Sequence, residues 1–559
     1  MSSMISMSRS VILALVLTLA SVLYYGYQSY GEGDYLLYSM PTVKALHQEN
    51  FIRDAYVQSM SDMHPTFSKA LQVLFSHGLE IAGPFILFLL SKFLLFLGII
   101  LLARRLIAGK VLYIFFIIFL FPFINFGLAN STLTTHFPFV VPRMMSWGFF
   151  LLGFNYFLSK KYFTASLFWG FASLFHLQFL FLTLPMLFVG VIFFHPAFSA
   201  KKKLIHLFFS GFILCAIALA EIISVYRNSP FEGGISNKDF FDFYVNHMFF
   251  SNMDPANFLF YRLGLFLLLI LPLFFWKRLP GDYETKKIWM SAIWVIIIGT
   301  VIYCISVKYF FIKSILLMWY PGFTPFVTLT SVIFLISIIT KNWKSIFFEK
   351  AFSHMLEIIF VYAYILFPYI APVIMAVDMV RNKKILKIRT IFGYAVLLII
   401  IFIFAPFSMT LKYKYYIYYI PAWSGIDFSV PELPNFIRLN TPKDSLFLVP
   451  PNTWFMQPVA YRSTVVDSYH PGLGGYLLEW KRKMDDVVGA DIFTISLDSR
   501  NELYKKRPVQ DMLGLAKKYN ADYFVTMNEN VVRESLARER SFRLVYWDDD
   551  YVIYKVEHN

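Results

Sequence analysis

Charged residues are scarce inside a series of long apolar runs in residues 1–412 and ordinary in residues 413–559, and this division constrains the fold more than any motif does. Residues 413–559 carry 18 Lys and Arg against 19 Asp and Glu, so the chain's formal excess of +15 resides in the apolar part. There the basic clusters Arg104/Arg105, Lys160/Lys161, Lys201–Lys203, Lys277/Arg278 with Lys286/Lys287, Lys341/Lys344 and Arg381–Arg389 recur at alternate breaks, as cytoplasmic loops do. The acids take the other breaks. Glu32, Asp34, Glu49, Asp54 and Asp62 share one and Glu232, Asp239, Asp242 and Asp254 another, while only Asp282, Glu284 and Glu349 join the basic clusters. A basic excess placed this way orients a chain in a lipid bilayer. It is not the contiguous patch that nucleic acid requires, and nucleic acid is excluded as a partner.

Composition agrees: 58% hydrophobic residues, 20% aromatic, and a mean hydropathy of +0.59 exceed what soluble cores of this size need. Cys215 and Cys304 both fall inside apolar runs, so there is neither a disulfide framework nor a CxxC metal signature. Arg9 ahead of Val11–Tyr24, with no convincing small-x-small cleavage site after it, predicts an uncleaved first helix with its N-terminus inside. At about 20 apolar residues per span, crossings are expected near 10–30, 81–103, 111–129, 144–159, 162–178, 179–197, 204–226, 258–276, 288–307, 318–340 and 390–410. The stretch 353–380, with Pro368 and Pro372 in mid-run and basic loops on both sides, calls for two short crossings or a re-entrant hairpin. The total is then about 11 to 13 crossings, and an odd count puts 413–559 outside.

The expected fold is therefore an α-helical polytopic membrane domain over 1–412 and an extracytoplasmic α/β domain over 413–559. Two outer loops are long, 31–80 and 227–257, and the first predicts surface helices over Thr42–Met60 and Thr66–His77. In the tail, a helical segment at Pro434–Leu439 precedes a strand at Ser445–Val449 and another at Ser463–Asp467. Helices at Gly475–Val488 and Pro508–Tyr519, a strand at Asp522–Met527 and a hairpin Phe542–Tyr546/Tyr551–Val556 follow, the pattern of a small mixed or parallel sheet. No GxGxxG, Walker A, HExxH or GxSxG motif occurs, so the tail has no recognisable catalytic centre of its own.

An acid just after the first span, Asp34 in Gly31-Glu32-Gly33-Asp34-Tyr35, a long first outer loop and an outer α/β tail together resemble the C-type glycosyltransferase superfamily. The segments Phe436–Pro450 (with Asn440-Thr441-Pro442-Lys443-Asp444), Ala460–Asp467 and Glu479-Trp480-Lys481-Arg482 are similar to the start of the soluble domain in oligosaccharyltransferase catalytic subunits and uncharacterised bacterial relatives. The departure is Pro450-Pro451-Asn452-Thr453-Trp454-Phe455-Met456, where oligosaccharyltransferases carry Trp-Trp-Asp-Tyr-Gly. That difference argues against sequon-directed protein N-glycosylation. The resemblance implies an inverting membrane glycosyltransferase using a polyprenyl-phosphate-linked sugar donor on the outer face of a bacterial inner membrane, with a glycan, lipid or protein as acceptor. A surface-polysaccharide polymerase or ligase, a glycolipid transporter and a scaffold without catalysis are the alternatives.

Such a transfer needs a carboxylate to take the acceptor's proton, and Asp34, with Glu32 behind it, is the candidate; a solvated loop acid is the plainer reading. A leaving phosphate needs cations or hydrogen-bond donors. Arg143 and Arg262 are outer-side cations that the positive-inside rule does not explain, though snorkelling to headgroups would account for both. His176, buried among Phe and Leu, is either a ligand-binding group or a helix-to-helix hydrogen-bond donor. His136, His247 and Asp254 are outer-loop residues that would line the same cavity. No cofactor is required, but a divalent metal remains open because His247 and Asp254 lie seven apart. Arg462 and Trp480 are candidate acceptor contacts or, equally, holders of the α/β fold. Glu221 and Glu357, acids within spans, are expected to pair with neighbouring helices.

Overall fold

The computed structural model describes residues 2–29, 34–60, 62, 64–106, 139–194, 199–227, 282–306, 320–343, 426–451, 453, 455–467, 476–492, 494–495, 497–528, 536 and 539–557, with 273, 276, 310 and 318 singly. The expected crossings at 111–129, 353–380 and 390–410, and nearly all of 258–276, lie outside these residues, as does Glu357. What is described is mostly helical, with several apolar helices and a C-terminal sheet. The chain divides into two compact units. One comprises Met1–Gly26, Leu87–Leu219 and Asp254–Ile426, the other Tyr27–Ile86, Ala220–Met253 and Asp427–Asn559.

The first unit is built from apolar helices: α1 (Ser2–Tyr25), most of α5 (Ala82–Leu106), α6 (Pro142–Leu158), α7 (Tyr162–Phe175), α8 (Gln178–Phe194), most of α9 (Ala200–Arg227), α10 (Tyr283–Ile305) and α11 (Thr324–Trp343). Among the described residues, stretches of α5, α9 and α10 are long and apolar enough to cross a membrane. With the composition, this makes the chain a membrane protein. Helices that cannot use the hydrophobic effect against one another in lipid associate by close packing. Gly153 of α6 lies against the indole of Trp169, Gly190 of α8 against the ring of Phe157, and Gly98 of α5 against Leu151. Aromatic rings fill what remains, Phe150 meeting Phe179 and Phe326 at 5.6 and 5.2 Å. Two buried polar groups bond across helices: Lys92 of α5 donates to Ser21 Oγ of α1 at 3.2 Å, and Tyr162 Oη to the Gly190 carbonyl at 2.9 Å.

In the second unit the segment 34–76 forms α2 (Asp34–Leu46), a 3-10 turn (Gln48–Phe51), α3 (Ala55–Ser59) and α4 (Pro65–Ser76). The expected helix over Thr66–His77 is present as α4, whereas the one expected over Thr42–Met60 is divided. The division has a local cause: Asp54 turns its carboxylate onto the amide of Val57 at 2.9 Å, and a side chain bonded to nearby backbone in this way starts a new helix rather than continuing the old one. Thr42 Oγ1 donates to the Ser68 carbonyl at 2.8 Å, fastening α2 to α4. Glu221, on α9 and fully buried, accepts from Thr66 N at 3.0 Å, so its carboxylate caps α4. Its partner is thus a loop helix rather than the neighbouring span expected for it.

The tail continues with α12 (Glu432–Asn440), β1 (Leu446–Leu448), β2 (Ser463–Thr464), α13 (Leu477–Val488), α14 (Leu497–Lys505), α15 (Val509–Tyr519), β3 (Tyr523–Met527), β4 (Phe542–Trp547) and β5 (Tyr551–Val556). The sheet order is β2-β1-β3-β5-β4, with β1 parallel to β2 and β3 and the last three strands antiparallel. Interior strands covered on both faces read as continuous apolar runs, here Leu446–Leu448 and Tyr523–Val525, all buried. Leu433 and Ile437 of α12 close one face over Phe447, Val525 and Ile553. Helix α14 has no counterpart in the sequence pattern. Its polar run is held through buried Tyr504, whose hydroxyl donates to the Val525 carbonyl at 2.8 Å.

Candidate functional site

The acid-bearing segment 34–76 is bonded into the tail. Asn50 Nδ2 donates to the Tyr461 carbonyl at 3.1 Å and Ser463 Oγ to the Asn50 carbonyl at 2.9 Å. Between them sits Asp54, 1% exposed, accepting from Thr464 N at 3.0 Å as well as from Val57 N. Gln457 Nε2 bridges to a second buried carboxylate, Asp467, at 2.9 Å, to Thr464 Oγ1 at 2.6 Å and, longer, to Asp54 at 3.4 Å. Burial pushes the Asp54 carboxyl up to about 6, against the pull of its backbone donors, and Asp467 adds to the rise. A carboxylate so enclosed clamps two segments and is closed to an acceptor hydroxyl. Around the clamp, Tyr461 takes a left-handed backbone (φ 55°), stacks on His47 at 4.5 Å and lies under the Arg438 guanidinium at 4.4 Å.

The sequence candidates fall as follows. Asp34 is the first residue of α2, the helix this clamp anchors. Glu32, His136, His247, Asp254 and Arg262 lie outside the described residues. Arg143 is the second residue of α6, half-buried. His176 is buried at the break between α7 and α8, its ring edge-on to Phe179 at 6.1 Å, and Phe179 in turn meets Trp147 at 5.1 Å. Arg143 and Trp147, four apart on α6, share a face, which brings Arg143, Trp147 and His176 to one end of the helix group. Among the described residues no group of three or more His, Cys, Asp or Glu side chains is placed to hold a metal ion.

Arg462 and Trp480 are both buried and bonded within the tail. Arg462, 2% exposed, donates through Nε to Thr441 Oγ1 (2.9 Å), through Nη1 to the Tyr461 carbonyl (2.9 Å) and through Nη2 to the carbonyls of Arg438 and Thr441 (2.9 and 2.7 Å). It closes the end of α12 with a planar fork that Lys lacks. Trp480, 1% exposed, gives its indole N–H to the Asp467 carbonyl at 2.8 Å. Sequence reasoning missed Asp54 and Gln457 as members of any site. Nothing local marks them, since Asp54 and Thr464 are 410 residues apart.

Comparison with known proteins gives a family model for a domain of unknown function, DUF6798, over residues 429–487, the segment from α12 into α13. No curated protein matches the chain. Among solved structures, the archaeal oligosaccharyltransferase AglB from Archaeoglobus fulgidus, in complex with an inhibitory peptide and a dolichol-phosphate, is similar at 12% identity and a TM-score of 0.40, covering 93% of this chain and 69% of its own. An apo crystal structure of the Archaeoglobus fulgidus oligosaccharyltransferase gives 11%, 0.39 and the same coverage. Both likenesses are loose.

Proposed function

We propose that this chain is a C-type membrane glycosyltransferase. It moves a sugar from a polyprenyl-phosphate carrier to a glycan, lipid or protein acceptor on the outer face of a bacterial inner membrane. Asp34 takes the proton of the acceptor hydroxyl as its oxygen attacks the anomeric carbon; the bond from that carbon to the phosphate oxygen breaks, the phosphate leaves with the electron pair, and configuration inverts. Departure of the phosphate calls for a cation or hydrogen-bond donors, and Arg143 is the cation the sequence offers for that charge.

The observation that supports this reading best is the mounting of α2. The helix that begins at Asp34 is fixed at its far end through Asn50, Asp54 and Ser463 to a tail that has no catalytic motif of its own. Transfer between two bound substrates depends on holding the base in register with them, and a rigid mount supplies that. The test is Asp34→Asn, which keeps shape but cannot accept a proton. Cells making this variant in place of the wild type are expected to lose the same surface glycan as deletion cells, with turnover down about a hundredfold or more and binding of the lipid-linked donor unchanged. A variant that inserts normally and gives near-normal glycan overturns the assignment.

A further inference from the structure

Residues 74–79 close α4 in a fixed turn. Gly78 takes a left-handed backbone (φ 74°), its N–H donates to the Phe75 carbonyl at 3.0 Å, and the Leu79 N–H donates to the Leu74 carbonyl at 3.0 Å. The Leu79 carbonyl in turn accepts from Gly83 N at 2.8 Å, so helical spacing runs from Leu79 into α5. Leu79 and Ile86, seven apart, therefore share a face. That face is bare. Ala82 between them is exposed, and Ile86 is 55% exposed inside the stretch Ala82–Arg105, which is long and apolar enough to cross a membrane. The lipid-facing side of the span thus continues without a break to a leucine ahead of it.

The tail reaches the same place. Phe428 sets its ring against Phe85 of α5 at 5.4 Å and against Tyr27 at 5.7 Å, while Arg438 of α12 pairs with Glu80 at 3.8 Å. These contacts fall just before and just after Ala82, where α5 begins, and all the residues concerned belong to the second unit. Around them Leu79, Ile81, Phe428 and Leu439, the residue after Arg438, are 36–72% exposed. Large apolar side chains scattered singly on a surface need no explanation. Four gathered where a lipid-facing span begins do.

We infer that Leu79, Ile81, Phe428 and Leu439 form a rim by which the second unit, tail included, dips into the outer lipid leaflet, with the acyl chains next to the headgroups as its partner. Continuity with the bare face of α5 favours lipid over protein as the cover. The basic pair Arg104/Arg105 closes the far end of α5, which makes the Leu79 end the outer one by the charge rule. Apolar side chains held this way settle about 5–10 Å into the boundary between headgroups and acyl chains. The Glu80–Arg438 pair suits such a border, where long charged side chains lay their stems on apolar surface and turn their heads to water. A rim of this kind fixes the height of α2, a member of the same unit, above the bilayer. It needs only the bilayer, whatever chemistry α2 serves.

The test places one bimane fluorophore at a time on the full-length protein through Leu79→Cys, Ile81→Cys or Leu439→Cys, after Cys215→Ser and Cys304→Ser. All three sites are exposed, so the fold should tolerate the label, and thermal unfolding of each variant checks this. Ile86→Cys is the lipid-facing reference. The protein is placed in vesicles of phosphatidylethanolamine and phosphatidylglycerol, with or without bromine on the acyl chains close to the headgroups, and titrated with aqueous iodide. Brominated lipid should quench each label to an extent comparable with Ile86→Cys, and iodide should quench it several-fold less. Stronger quenching by iodide at Leu79 and Ile81 sets the rim in water and overturns the inference. Stronger quenching by iodide at Leu439 alone overturns it too, since the tail would then stand clear of the bilayer. Shielding from both quenchers shows protein on the rim, a second copy or another partner, and likewise overturns the assignment to lipid.

Discussion

Asp54 ties the segment 34–76 to the tail with a group that water would hold more readily. The folded chain keeps its proton up to about pH 6, and the unfolded chain only to the ordinary 3.8. The stabilisation linked to that proton is complete below pH 3.8. It is lost as pH rises through 6, because the folded form must then bury the charge beside Asp467, with Gln457 and Tyr476 as near neighbours. The size is on the order of 3 kcal/mol. Asp54→Asn keeps an acceptor for Val57 N or Thr464 N and carries no charge. The stability difference between wild type and Asp54→Asn, followed by thermal unfolding in detergent, should therefore shift in favour of the variant as pH is raised from 4 to 7. A difference that does not move with pH rules out this carboxylate as the titrating group.

The helices of the membrane part meet through glycine as much as through large side chains. A Cβ on Gly153 would fall inside the indole of Trp169, and that indole is held by its bond to the Phe150 carbonyl. The ring cannot swing aside without giving up its acceptor, so α6 and α7 must separate. Gly153→Ala should destabilise the protein by about 1–3 kcal/mol. Gly211 of α9 makes a fair control, since nothing lies within 4 Å of the Cβ it would gain. Gly211→Ala should be neutral or slightly stabilising through helix propensity. Equal melting temperatures for the two variants would show that α6 and α7 yield at this point.

For the molecule as a whole, the charge alternation still predicts more than the described helices display. A reporter fused after Asn559 should be found outside the cytoplasm and one inserted at Lys201–Lys203 inside it. A cytoplasmic C-terminus would remove the case for a base at Asp34 acting on the outer face. The second unit adds a structural expectation: the segment Tyr27–Ile86 and the tail from Asp427 are one compact body. Deleting residues 427–559 should therefore expose α2 and α3 to proteolysis rather than leave a tailless but intact segment 34–76.

By itself the sequence determined the elements that depend on near neighbours. Apolar length marked α5, α9 and α10, and the alternation of apolar and polar residues located β1, β3, β4, β5, α13 and α15 to within a few residues, because hydrogen bonding within a helix or hairpin is decided locally. What only the tertiary structure decided is who meets whom. Asp54 was one of six acids in the loop 31–80 until Thr464 and Gln457 were found against it. Arg462 and Trp480, quoted for their resemblance to a family, proved to hold carbonyls of their own domain. Partners hundreds of residues apart leave no periodic trace in the chain, since the energy that selects them, burial of a charge or an N–H away from water, exists only once the surrounding fold has excluded the water.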